Sequence, residues 1–229
     1  MIAVMSHDSD EEPTDFGHNV VLDDRLSVRS LAYVLAAVSG TCVLSLVIFY
    51  TVELPRGRPH IFGPTSDLTT SLWNLLLVPL LIGSLATLHG RGGGLLIGLT
   101  AALSVVGATG SMLLVIDAVP FAVSTPVSVA AALAQAAWLY AFCTSLRRSK
   151  PRAPHVARLA ALGRPVGLGQ WIGALVVGIS FVFGWGSVPQ KVIMGIGLVP
   201  GFLAWLAWPI WFALLGRALA GGTAEGRSS

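Results

Sequence analysis

The sequence predicts an all-α, polytopic transmembrane bundle of about six helices, and three observations carry that reading. Of 229 residues, 54% are hydrophobic and only 11% are charged, with a mean hydropathy of +0.77. A soluble domain carries about 25% charged residues, because its surface must be wetted. The charges cluster, leaving six apolar runs long enough to cross a hydrocarbon core of about 30 Å. Basic residues gather on alternate connections between those runs, the pattern that sets orientation in a membrane.

Taken in order, residues 1–28 read as an acidic, disordered cytoplasmic tail. Asp8, Asp10, Glu11, Glu12 and Asp15 precede any Lys or Arg, the reverse of a signal peptide's basic start. A six-helix transmembrane domain spans 29–218, with apolar segments near 30–52, 67–88, 94–116, 123–146, 166–187 and 192–215. Residues 219–229 form a short cytoplasmic tail. The connections 53–66 and 147–165 are the longest; the others are so short that neighbouring helices must be antiparallel. Within the basic loop 147–165, the stretch 154–163 suits either a short helix lying on the membrane surface or a solvated loop.

Charge sets the orientation. With the N-terminus inside, eleven Lys and Arg fall on cytoplasmic pieces, and three (Arg56, Arg58 and Lys191) fall outside. This positive-inside asymmetry puts both termini in the cytoplasm. The pI near 9.2 does not point to nucleic acid. Arg147, Arg148, Lys150, Arg152, Arg158 and Arg164 lie beside helix ends, where basic side chains contact anionic lipid headgroups. The preference for Arg over Lys, with abundant Ala and Gly, suggests a high-GC bacterial genome and hence a bacterial plasma membrane. Phe49, Tyr50, Phe121 and Trp185 at outer edges, and Trp171 and Trp211 near inner edges, read as interfacial belts.

Polar residues inside the spans are the candidate site, since an Asp at the bilayer centre costs about 2.5–3.5 kcal/mol. Asp67, Thr70, Ser71 and Asn74 fall at i, i+3, i+4 and i+7, on one face of the second helix. They suit a polar path open to the outside, or a set that caps the helix start (Ser66, Asp67) and bonds neighbouring helices. The second use is favoured. Gln135 belongs to a stripe with Ser124, Ser128 and Trp138 on the fourth helix, and needs a partner near mid-membrane. Whether it meets Asn74 is open at this level. Glu53, Asp67 and Asp117 suit either an outward cation-attracting cluster or pairing with Arg56, Arg58 and Lys191. Thr100, Ser104, Gly107 and Ser111 line one face of the third helix, and Gly94-x-x-x-Gly98 and Gly197-x-x-x-Gly201 suit close helix packing. Pro200 and Pro209 in the sixth segment suggest a kinked helix.

No catalytic set emerges, so an enzyme is not expected. The five histidines lie in tails, loops or at a helix end without metal-ligand spacing, and no cofactor or metal is implied. Gly178-Ile-Ser180 offers a serine, but no histidine follows His155 to act as its base. Cys42 and Cys143 lie at different depths, too far apart to bridge, and read as small buried side chains.

The stretch Gly63-Pro64…Asp67…Asn74-Leu-Leu-Leu-Val-Pro79…His89 resembles uncharacterised six-helix integral membrane proteins of actinobacterial type. The ending Pro200-Gly-Phe-Leu-Ala-Trp-Leu-Ala-Trp-Pro209-Ile-Trp211 adds to it. The resemblance covers about residues 30–217 and implies the architecture alone, since no activity is assigned to that group. The expected function is a non-enzymatic membrane component acting through protein or lipid partners, or a homo-oligomer. The alternative is a small transporter or channel using the polar face of the second helix.

Overall fold

The computed structural model describes residues 16–57, 61–88, 91–149 and 154–225, with side chains from Val28 to Ala220 except those of Ala86 and Arg91. Among these residues it is all helix: α1 (Phe16–Ile48), α2 (Phe62–Gly83), α3 (Arg91–Val115), α4 (Phe121–Arg148), α5 (Pro154–Ser180) and α6 (Val188–Glu225). Each is long and apolar enough to span a membrane.

Two boundaries differ from the sequence reading. The backbone of α1 is helical from Phe16, inside the segment read as a tail, while residues 1–15 lie outside the described residues. Pro154 opens α5, and 154–163 forms the first turns of the fifth span rather than a loop or a surface helix. Arg158 and Arg164 interrupt the apolar run without interrupting the backbone, and Arg is a good helix former. Proline suits a helix's first turn, where its missing N–H is no loss.

α1 does not stop cleanly. Phe49–Glu53 winds as a π turn, followed by the short helical piece Leu54–Arg56 and a left-handed Gly57 with φ of 59°. Each helix packs against its chain neighbours, and α1 also packs against α6, so the six close into a ring. Aromatic rings fill the interior. Trp73 of α2 meets Trp205, Trp208 and Phe212 of α6, and Trp138 of α4 meets Trp211, with ring centroids 5.6–6.4 Å apart. Trp211 is fully buried and belongs to this core, not to the inner interfacial belt. Trp171 and Trp185 are exposed, as belt residues are.

The two glycine pairs part company. A Cβ on Gly173 of α5 would stand 2.5 Å from the Gly201 backbone of α6, and one on Gly197 would stand 2.9 Å from the Gly173 carbonyl. That pair lets α5 and α6 touch backbone to backbone. Gly94 and Gly98 have open space where a Cβ would go, so their spacing serves no contact within the chain. Gly173→Ala is therefore expected to lower stability by about 1–3 kcal/mol through overpacking. Gly98→Ala is expected to raise it by about 0.5–1 kcal/mol through helix propensity. Reversible unfolding in bicelles reads both, and the signs should be opposite.

Candidate functional site

The polar face of α2 is turned into the bundle. Ser71 Oγ donates to the Ala108 carbonyl of α3 at 2.9 Å. Asn74 Oδ1 accepts from Gln135 Nε2 of α4 at 2.6 Å, and the same amide donates to Ser104 Oγ of α3 at 3.0 Å. Ser71, Asn74, Ser104 and Gln135 are all buried. Gly107 leaves room for this node, because a Cβ there would stand 3.1 Å from Ala131 and 3.6 Å from the Asn74 amide. Three helices thus share one hydrogen-bonded centre.

Further clamps repeat the theme. Thr70 Oγ1 lies 3.1 Å from Cys42 Sγ, joining α2 to α1, and both cysteines are free and buried. Thr100 of α3 lies 3.3 Å from the Ala134 carbonyl of α4, and Ser124 of α4 donates to the Gly110 carbonyl of α3 at 3.3 Å. Trp138 Nε1 donates to Ser84 Oγ at 3.0 Å. Gln170 of α5 donates to the Ala132 carbonyl at 3.4 Å and accepts from Trp208 Nε1 of α6. Sequence reasoning passed over Gln170, which lies close to the inner edge of the fifth apolar run. Its signal was an amide facing the Trp205, Trp208, Trp211 series. Among the described residues, Trp73 Nε1 stays buried without a hydrogen-bond partner.

Asp67 is half-buried and forms no hydrogen bond or ion pair among the described residues. Ser66 and Asp67 do not cap α2, because the helix begins at Phe62 and both lie in its second turn. The capping group is Glu53, buried to 8% exposure, which accepts from the Ile61 and Phe62 amides at 2.8 and 2.9 Å. A carboxylate there also suits the positive end of the helix dipole. Asp117 is exposed and holds a left-handed turn with φ of 55°. Among the described residues, neither Arg56 nor Lys191 pairs with these acids, and Arg58 lies outside them.

At the opposite end the charged side chains described are Arg29, Arg147, Arg148, Arg158, Arg164 and Arg217, while those of Asp23, Asp24, Arg25, Arg91 and Glu225 lie outside the described side chains. Arg29 lies over the Tyr33 ring at 5.9 Å, and Arg164 over the Tyr140 ring at 5.5 Å. Arg147, Arg148 and Arg158 are exposed, while Lys150 and Arg152 lie outside the described residues. No group of three His, Cys, Asp or Glu with metal-holding geometry occurs among the described residues. Comparison with protein-family models, curated proteins and solved structures returned no match for this chain.

The acids at the Glu53 end should separate by mutation. Glu53→Ala orphans two backbone donors and is expected to cost about 1–2 kcal/mol of unfolding free energy. Asp117→Gly relieves a left-handed residue and is expected to gain about 0.5 kcal/mol. Denaturation of the two variants beside wild type checks the contrast.

Proposed function

We propose that this chain is a non-enzymatic, multi-pass membrane component that acts through lipid and protein partners. One observation carries the reading: the polar side chains of the spans are bonded to one another, with Asn74, Gln135 and Ser104 at the centre. Groups committed to each other hold helices together and are poorly placed to bind a passing solute. The ring's interior is packed with tryptophan and phenylalanine, which supports the same reading. Its outside offers broad apolar faces and one basic end for partners. That basic end supports an orientation with both termini in the cytoplasm of a bacterial cell. The actinobacterial resemblance fits, and rests on the motifs quoted above.

The second reading, a small transporter or channel, draws on Asp67, which is half-buried with no partner among the described residues. A path from Asp67 would run past Thr70 and Ser71 to Asn74. Accessibility separates the two. In intact cells, with Cys42 and Cys143 replaced, Asn74→Cys should resist a membrane-impermeant maleimide while a cysteine placed within 53–57 reacts. Rapid labelling at position 74 would mean that water reaches the node, and the transport reading would take over.

A further inference from the structure

Arg164 of α5 and Tyr140 of α4 meet on the outer face of the bundle, near its basic end. Gly167 brings the helices together there: a Cβ on it would stand 2.9 Å from both the Ala136 carbonyl and the Tyr140 amide. About one turn earlier on α5, Arg164 lies over the Tyr140 ring, and its Nη2 donates to the Tyr140 hydroxyl at 3.5 Å. Thr144 and Arg148 follow Tyr140 at i+4 and i+8, along one ridge of α4. Arg164 Nε is buried and has no hydrogen-bond partner among the described residues.

The unmet needs of this group are all of one kind. A guanidinium only donates, and a tyrosine hydroxyl that accepts from it still has its own hydrogen to give. The complement is an anion with several acceptor oxygens. Among the side chains described, the carboxylates are Glu53, Asp67 and Asp117, and all three lie at the other end of the bundle.

What lies beside the donors identifies the anion's carrier. Leu168, Trp171 and Leu175 follow Arg164 at i+4, i+7 and i+11, on the same helix face. They are 49%, 42% and 37% exposed, and Tyr140 is 38% exposed. Donors at one end of an exposed apolar track match a phospholipid, with its phosphate on the donors and an acyl chain along the track. A peptide carboxylate would leave the track uncovered.

We propose that Tyr140, Arg148 and Arg164 form a binding site for the phosphate of an anionic phospholipid. The proposal rests on the lipid-partner reading above and narrows it from a diffuse basic surface to one built site. Arg164 and Arg148 supply charge, and Tyr140 orients the Arg164 guanidinium and offers its own hydrogen to a phosphate oxygen.

Native mass spectrometry of the full chain, released from detergent with added phosphatidylglycerol or phosphate-free diacylglycerol, tests it. Wild type should retain phosphatidylglycerol about tenfold better, the worth of one charge-assisted hydrogen bond. Arg164→Gln and Tyr140→Phe should each remove most of that preference, while Arg217→Gln keeps it. Tyr140→Phe is informative because the ring stays and Tyr140 is exposed, so a lost preference reports binding rather than a harmed fold. A wild-type preference that both variants retain would overturn the site and leave the broader lipid reading standing. No preference in wild type would overturn both. Displacement of the lipid by millimolar inorganic phosphate would assign the site to free phosphate and overturn the lipid proposal.

Discussion

Hydrocarbon offers no hydrogen-bond partner, so a polar side chain placed in a membrane span must be met by another group of the protein. The node of Asn74, Gln135 and Ser104 answers that demand at the point where α2, α3 and α4 converge. Each of these residues would be a liability on a lipid-facing surface, and together they fix which faces turn inward. Register follows from it. Once Gln135 faces Asn74, Trp138 is carried one turn on to Ser84, and Ala131 is carried one turn back against Gly107.

The other half of the bundle is held differently. α5 and α6 join through Gly173, Gly197 and Gly201, whose missing side chains let backbones touch. Gln170 then bridges to Trp208, tying the aromatic core of α6 to α5 and α4. Polar clamps on one side and glycine contacts on the other leave a filled interior, with chemistry displaced to the ends and the outer surface. Arg164 and Tyr140 stand on that surface.

Much of this was legible in the sequence, because a run of uncharged apolar residues records a membrane span directly. The described residues hold six spans over the six runs, the fifth beginning at Pro154 rather than near 166, and the inward faces of α2, α3 and α4 follow from i, i+3, i+4 spacing. What spacing cannot supply is the partner. Asn74 and Gln135 share a centre only because α2 and α4 pack at one relative height, a tertiary property. Helix ends were blurred where charge and helix overlap, as at Arg158 and Arg164 in α5. Gly94 and Gly98 show the same limit from the other side, since the spacing of a close contact says nothing of which face finds a neighbour. Glu53 was read as a surface charge, and its capping role depends on the π turn that swings it over Ile61 and Phe62.

The most direct test of the central claim is a double-mutant cycle on Asn74 and Gln135, with unfolding measured in a bilayer-like medium. Asn74→Leu and Gln135→Leu should each destabilise by stranding the other amide. The double variant should recover part of the loss, giving a coupling energy of about 1 kcal/mol. Strict additivity would mean that the two amides do not depend on each other, and the account of the bundle built on their bond would be wrong.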